Sequence, residues 1–225
     1  MRRLNPGLIV SCQALKDEPM YGGDTIPKFA YAALLGGANG IRANTIKDIN
    51  AIARKIDHKL PIIGIIKADY EDSSVYITPT LSEVRRLIKS ECDVIALDAT
   101  LRTRPNGERL EDLVRYCREH TDKPLMADIA TIEEAENAER LGFDYISSTL
   151  RSYTEETRGI VIPDLKFTRD LLAKIKKSEV IFEGGISSPE QLKEILSTGV
   201  KYVVIGGAIT RPMNITKRYK KEFEL

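Results

Sequence analysis

The residues of this sequence whose types and spacing could do chemistry are polar side chains that directly follow short apolar stretches. A lysine at the end of an apolar stretch is partly desolvated, and burial lowers a lysine pKa toward neutrality. Its neutral amine can then take a proton or form a Schiff base. A carboxylate beside it suits proton transfer, and arginines suit the bidentate binding of an anion. The residues in such positions are Gln13, Arg42, Lys67, Asp98, Asp128 and Glu183, with Arg211 shortly after the last stretch.

Lys67 and Glu183 are the strongest candidates for catalysis. Lys67 follows the stretch 62–66, which reads Ile-Ile-Gly-Ile-Ile, and Glu183 directly precedes a glycine pair. Each has a plain alternative, because a lysine at a strand end can simply be solvated and Glu183 can be a structural partner of Lys67 or Arg42. Asp128 suits the binding of hydroxyl groups or the orientation of the lysine.

Two glycine pairs, Gly184-Gly185 and Gly206-Gly207, follow the last two apolar stretches. Glycine lets backbone N–H groups turn toward a ligand with no Cβ in the way, so a single pair marks either a tight turn or an anion site. Because the pair is repeated after consecutive strands, we expect a phosphate site that uses the N–H groups of Gly185, Gly206 and Gly207.

Eight short, mostly β-branched stretches alternate with segments of helical period over the 225 residues. Capping boxes at Thr80 and Thr131 and a Ser188-Pro189 start mark helix beginnings, and Gly37, Gly142 and Gly199 mark helix ends. This pattern favours an α/β fold, a single (β/α)8 TIM barrel over residues 1–225, with the phosphate site in the loops after strands 7 and 8. A doubly wound open sheet is the rival architecture.

Composition excludes several classes of function. The net charge is +1, so no basic excess points to nucleic acid, and no apolar run reaches the length of a membrane span. The three cysteines lack metal-type spacing and indicate core packing in a reducing cytoplasm. His58 and His120 fall near helix ends, away from the expected site, and no nucleotide-binding fingerprint occurs. These patterns predict an enzyme without metal or organic cofactor that acts on a small phosphate ester.

The sequence resembles the N-acylmannosamine-6-phosphate 2-epimerases of sialic acid catabolism over nearly its whole length. The motifs that carry the resemblance are Gly7-Leu-Ile-Val-Ser-Cys-Gln-Ala14, Gly40-Ile-Arg-Ala-Asn44, Pro61-Ile-Ile-Gly-Ile-Ile-Lys67, Val75-Tyr-Ile-Thr-Pro-Thr80, Ala96-Leu-Asp-Ala-Thr100, Met126-Ala-Asp128, Glu183-Gly-Gly-Ile186 and Gly206-Gly-Ala-Ile-Thr-Arg-Pro212.

The resemblance implies a cofactor-independent isomerase that interconverts N-acetylmannosamine 6-phosphate and N-acetylglucosamine 6-phosphate. It implies that Lys67 exchanges the proton at C2 and that Glu183 assists. It also implies that Gln13, Arg42, Asp128 and Arg211 bind the sugar and its phosphate. A homodimer is expected at the level of the family.

One loop departs from the family pattern. After strand 6 the family tends to carry a Ser-Gly-Tyr-Thr type loop, whereas this chain reads Leu150-Arg-Ser-Tyr-Thr-Glu-Glu156. The glycine is lost and Arg151 is gained, so the conformation of this loop does not carry over from the family.

Two other functions fit the same residues. One is another phosphate-binding barrel, such as a lysine Schiff-base aldolase or an isomerase of an aminoaldose. The other is a catalytically silent barrel that senses sugar phosphates. The presence of both a lysine and a glutamate at the rim favours the enzyme.

Overall fold

The chain folds into a closed barrel of eight parallel strands in the computed structural model, which describes residues 3–223. Neighbouring strands follow chain order round the barrel, and the first strand pairs with both the second and the eighth, which closes the ring. The strands are β1 Gly7–Cys12, β2 Gly40–Asn44, β3 Ile62–Ile65, β4 Val94–Asp98, β5 Leu125–Asp128, β6 Tyr145–Ser147, β7 Glu179–Glu183 and β8 Tyr202–Ile205.

An α-helix follows each strand, so the predicted alternation and the predicted closed barrel are confirmed, and the doubly wound open sheet is wrong. The helices are α1 Thr25–Leu35, α2 Ile46–Lys55, α3 Leu81–Ile88, α4 Leu110–His120, α5 Ile132–Leu141, α6 Leu165–Lys174, α7 Pro189–Leu196 and α8 Pro212–Lys221. The prediction of one domain over 1–225 includes 1–2 and 224–225, which lie outside the described residues, and it stays a prediction.

The core has two layers because successive strand residues point to opposite faces of the sheet. An outer cluster packs strand residues such as Ile41 against helix residues such as Ile49 and Ile52. An inner cluster fills the barrel and takes no described residue from an α-helix; its members include Ile9, Ile63, Val94, Met126 and Ile181. Membership of one cluster or the other therefore tells which way each strand residue faces.

The predicted helix boundaries are set by side-chain caps. Thr80 and Glu83 form a capping box at the start of α3, and Thr131 and Glu134 form another at the start of α5. Each box satisfies backbone N–H groups that have no partner inside the helix. At the other end of α5, Gly142 adopts a left-handed φ of 86°, and β6 begins three residues later. The loops from each helix back to the next strand keep all eight strands parallel, so the carboxyl ends of the strands lie at the same rim.

Candidate active site

A cavity of about 220 Å³ opens at the carboxyl ends of the strands, which is the rim where barrel enzymes carry their sites. All the predicted site residues line this cavity except Asp98 and Asp128, which are both fully buried. The predicted residues in the lining are Gln13, Arg42, Lys67, Glu183, Gly185, Gly206, Gly207 and Arg211.

The pleat of the strands explains why these side chains meet. Arg42 lies between Ile41 and Ala43, which both pack in the outer cluster, so the Arg42 side chain enters the barrel. Asp128 follows inner Met126 by two residues, and Glu183 follows inner Ile181 by two residues. The inward positions of β2, β5 and β7 therefore direct one cation and two carboxylates to the same point.

Arg42 is the centre of a buried ionic cluster. Its Nη1 donates to Asp128 Oδ1 at 2.9 Å and its Nη2 donates to Asp128 Oδ2 at 2.6 Å. Nη1 also donates to Glu183 Oε2 at 2.6 Å. Burial alone lowers the pKa of the guanidinium, but the negative charges of Asp128 and Glu183 raise it above its ordinary value. Arg42 is therefore a fixed cation whose fork is filled by two carboxylates.

Glu183 is the more accessible of those carboxylates. Its side chain is 17% exposed, whereas that of Asp128 is 0% exposed. Burial raises the pKa of Glu183, and nearby Asp128 raises it further, while Arg42, Thr149 and Lys67 oppose the shift. A carboxyl group of raised pKa holds a proton more readily than an ordinary glutamate, which suits general acid–base work.

Lys67 lies across the cavity from the glycine loops, just after β3. Its backbone N–H donates to Asn44 Oδ1 at 2.9 Å, and its Nζ lies 6.0 Å from the centre of the Tyr76 ring. Burial lowers the pKa of Lys67 from its ordinary 10.5, and the positive charges of Arg42 and Arg211 lower it further. The amine is thus the group in this cavity most suited to accept a proton.

Arg211 and Gln13 stand where the chain turns after β8 and β1. Arg211 Nε lies 2.7 Å from Glu18 Oε1, and its Nη2 donates to Glu18 Oε2 at 3.3 Å. This pairing occupies Nε and Nη2 of the Arg211 guanidinium. Nη1 lies on the other side of the group, away from Glu18. Gln13 Nε2 donates to Ser11 Oγ at 2.9 Å, while the buried Gln13 Oε1 has no partner among the described residues. That oxygen is available to a ligand hydroxyl or amide.

The two glycine pairs take different conformations. Gly185 has a φ of 76°, and a Cβ there would lie 2.7 Å from the Ile162 carbonyl carbon, so the position requires glycine. Gly206 has no left-handed φ, but a Cβ on it would lie 3.2 Å from Ser11 Cβ. Within residues 3–223, the N–H groups of Gly185 and Gly207 donate to no protein acceptor. The phosphate site remains a prediction that this geometry supports.

Sequence reasoning missed several side chains that complete the cavity. Thr149 stands between Asp128 and Glu183, Asn44 holds the Lys67 backbone, and Tyr76 lies beside the Lys67 amine. Burial, with the charges of Asp128 and Asp98, raises the pKa of Tyr76 to about 12. No strand pattern could have found Thr149, since it lies in the 3-10 turn Ser148–Leu150 that follows β6.

Asp98, a candidate from the sequence, lies outside the cavity lining, and the cysteine at the end of β1, Cys12, packs in the core as expected. Arg102 and the Thr100 hydroxyl occupy the Asp98 carboxylate at 2.7 Å each. Cys12 is fully buried in the outer cluster, and that burial raises the pKa of its thiol to about 12. A thiol of such a pKa is a poor nucleophile at neutral pH.

The loop that departs from the family pattern is held by its new arginine. Arg151 Nη1 donates to the Ala130 carbonyl at 3.1 Å. Its Nε and Nη2 donate to Asp164 Oδ2 at 3.2 and 3.1 Å. The guanidinium carbon also lies 4.2 Å from the centre of the Phe167 ring. Ser152, where the family tends to have glycine, adopts a left-handed φ of 75°. Tyr153 then lines the cavity.

None of the helices within 3–223 has both the length and the apolar character of a membrane span. The same range contains no group of three or more His, Cys, Asp and Glu side chains placed to hold a metal ion.

This chain is similar to known proteins in both sequence and fold. Residues 26–224 match the family model NanE, described as "Putative N-acetylmannosamine-6-phosphate epimerase". A "Putative N-acetylmannosamine-6-phosphate 2-epimerase" of Staphylococcus aureus (strain JH9) is 52% identical over 221 residues, which are 97% of this chain and 98% of the relative.

Solved structures agree. The N-acetylmannosamine-6-phosphate 2-epimerase from Clostridium perfringens has a TM-score of 0.91 at 48% identity, with 96% of this chain and 92% of that chain covered. A thiamine phosphate pyrophosphorylase from Pyrococcus furiosus has a TM-score of 0.61 at 19% identity, with 97% and 96% covered, which shows a shared fold alone. On the family match and the 52% identity, the chain belongs to the N-acetylmannosamine-6-phosphate epimerase family.

Proposed function

We propose that this chain is an N-acetylmannosamine-6-phosphate 2-epimerase, an isomerase that interconverts N-acetylmannosamine 6-phosphate and N-acetylglucosamine 6-phosphate. The observation that carries the proposal is Lys67, an amine of lowered pKa in a cavity shared with Glu183 and two glycine loops. Membership of the family and the name of the 52% identical relative support the choice of substrate.

The chemistry follows from the position of the reacting carbon. In the open-chain aldehyde, C2 is next to the carbonyl, so removal of its proton gives an enolate that the carbonyl stabilises. Return of the proton to the opposite face inverts the configuration at C2. A positioned base typically contributes about 10²–10⁴-fold to such a step, and Lys67 is the base in this proposal. Glu183 assists as the group that holds or supplies a proton.

The remaining predicted residues hold the substrate or support Glu183. Arg211 supplies the positive charge for the 6-phosphate, and the N–H groups of Gly185, Gly206 and Gly207 supply its hydrogen bonds. Gln13 is the candidate partner of a sugar hydroxyl or amide, because its Oε1 is buried without a partner among the described residues. Arg42 and Asp128 form the floor and keep Glu183 in place.

The family also supports three wider expectations for this enzyme. We expect it to work without a metal ion or organic cofactor, in the cytoplasm, and as a homodimer. Activity after dialysis against a chelator tests the first expectation, and light scattering after size-exclusion chromatography tests the last.

A proton NMR assay in deuterated water tests the function. The purified protein is expected to convert N-acetylmannosamine 6-phosphate to N-acetylglucosamine 6-phosphate with loss of the C2 proton signal. Binding without exchange would indicate a sugar-phosphate sensor instead. A borohydride-trapped adduct on Lys67 would indicate a Schiff-base aldolase.

A further inference from the structure

We infer that Thr149 is a positioning residue whose single hydroxyl hydrogen lies between Asp128 and Glu183 and sets how readily Glu183 holds a proton. The inference rests on the proposed function, in which Glu183 holds or supplies a proton during epimerisation. Thr149 lies in the short 3-10 turn Ser148–Leu150 that follows β6, and its side chain lines the cavity.

The Thr149 hydroxyl has more partners than it has hydrogens. Its Oγ1 lies 2.6 Å from Asp128 Oδ1 and 3.1 Å from Glu183 Oε2, and both are acceptors when ionised. It also lies 2.8 Å from Ser147 Oγ and 3.1 Å from Arg42 Nη1. Because a hydroxyl carries one hydrogen, Thr149 can donate to only one of the two carboxylates at a time.

Arg42 supplies two more hydrogens on the same side. Its Nη1 faces three acceptors, namely Asp128 Oδ1, Thr149 Oγ1 and Glu183 Oε2. With both carboxylates ionised, Asp128 Oδ1 and Glu183 Oε2 can each accept one of the two Nη1 hydrogens. The Thr149 hydrogen is then the one shared hydrogen for which the two carboxylates compete.

One added proton ends this competition. When Glu183 is protonated, its O–H donates to Thr149 Oγ1, and the Thr149 hydrogen donates to Asp128 Oδ1. Thr149 changes from a possible donor to an acceptor with respect to Glu183, and it neither gains nor loses a proton. The hydroxyl thus serves both ionisation states of Glu183, which is what a residue that cycles a proton requires.

The charges around Glu183 come from several elements. Arg42 on β2 and Asp128 on β5 flank its carboxylate, and Lys67 after β3 also acts on it. Arg211, after β8, acts on Lys67. Ser148 holds the Glu183 backbone, since its hydroxyl donates to the Glu183 carbonyl at 2.9 Å and accepts from the Glu183 N–H at 3.0 Å. Of the uncharged side chains within residues 3–223, Thr149 is the one whose hydroxyl lies within hydrogen-bond distance of both carboxylates.

The test compares Thr149→Val, which keeps the shape and removes the hydroxyl, with Thr149→Ser, which keeps the hydroxyl. Loss of a hydrogen bond to an ionised group is expected to lower kcat about ten-fold or more, with a much smaller change in KM. The limb of the pH–rate profile that belongs to Glu183 is expected to move up by about one pH unit. The ionised form loses a charge-assisted hydrogen bond, which is stronger than the neutral hydrogen bond that the protonated form loses. Thr149→Ser is expected to keep kcat and the position of the Glu183 limb near those of the unchanged protein.

Thr210→Val is the matched control. Its hydroxyl also lines the cavity, but it donates to the backbone carbonyls of Ser11 and Gly206 at 2.8 and 3.1 Å and to no carboxylate. This change is expected to leave the position of the Glu183 limb as in the unchanged protein, whatever it does to kcat. A shift of equal size in Thr210→Val would mean that the effect comes from packing.

A second measurement separates this inference from the proposed function. The carbon-13 signal of the Glu183 carboxyl, assigned with Glu183→Gln, reports its titration without any turnover. The inference predicts a higher midpoint in Thr149→Val and a midpoint near that of the unchanged protein in Thr149→Ser. An unmoved midpoint in Thr149→Val overturns the inference. A protein that shows the shift but exchanges no C2 proton overturns the epimerase assignment alone.

Discussion

Arg42 binds the carboxylate of Asp128 through two parallel hydrogen bonds of 2.9 and 2.6 Å. Both side chains are buried, with exposed fractions of 1% for Arg42 and 0% for Asp128. The residues are 86 positions apart in sequence, and the closed barrel brings them together across its interior. A bidentate pair of this kind has both a strong and a specific geometry. The pair forms the floor of the cavity, where Arg42 also binds Glu183.

Asp128→Asn is expected to destabilise the protein strongly. The Asn amide cannot accept both Arg42 hydrogen bonds, since its NH2 group is a donor that would face a guanidinium donor. The loss of this buried bidentate pair is expected to lower the free energy of unfolding by about 3 kcal/mol. Urea denaturation followed by circular dichroism measures it. The matched control is Glu136→Gln, which breaks the exposed pair with Lys174 and is expected to cost under about 1 kcal/mol. Equal losses in the two variants would contradict the structural role of the buried pair.

Arg211→Ala is expected to weaken substrate binding more than turnover. A charged hydrogen bond to phosphate is lost, so KM is expected to rise about 10- to 100-fold while kcat changes far less. Arg54→Ala serves as the control, because Arg54 is exposed near the end of α2 and pairs with Glu91. A fall in kcat with an unchanged KM would place Arg211 in the chemistry and away from phosphate binding.

Gly185→Ala is expected to damage both stability and phosphate binding. The added Cβ meets the Ile162 backbone and side chain at 2.7–2.9 Å and also strains a left-handed residue. Gly142→Ala is the matched control, since it has a φ of 86° with nothing within 4 Å of a Cβ. Thermal denaturation and a titration with inorganic phosphate compare the two. If both variants bind phosphate as the unchanged protein does, the loop after β7 is not the phosphate site.

The rate of C2 exchange is expected to rise with pH and then level off. Lys67 acts as a base only when neutral, and burial together with Arg42 and Arg211 lowers its pKa below 10.5. Loss of the proton therefore begins at lower pH than in a free lysine, and the midpoint of the rising limb is expected below 10.5. Initial rates in buffers across this range measure it. A limb that still rises without a plateau at pH 10.5 would rule out the lowered pKa.

Much of the fold could be predicted because its signals are local. The capping boxes at Thr80 and Thr131 and the left-handed Gly142 depend on a few neighbouring residues, and all three were predicted correctly. The inward position of Lys67 and Glu183 follows from the alternation along single strands. These features need no knowledge of distant parts of the chain.

The contacts inside the site could not be predicted in this way. Thr149 and Asp128 meet because β5 and β6 are adjacent and in a fixed register, which no local pattern contains. Asp98 has the same place at its strand end as Asp128, yet Arg102 four residues later takes its carboxylate. Which of two equivalent aspartates serves the cavity depends on the side chains that surround each one.

Lys67→Ala tests the central claim most directly, with C2 exchange followed by proton NMR in deuterated water and binding of N-acetylmannosamine 6-phosphate followed by calorimetry. The account predicts that exchange falls to background while the substrate still binds, because the base is lost and the phosphate site remains. Lys59→Ala, which removes a lysine that is 62% exposed outside the cavity, is expected to keep the activity of the unchanged protein. Near-normal exchange in Lys67→Ala would contradict the assignment of Lys67 as the base.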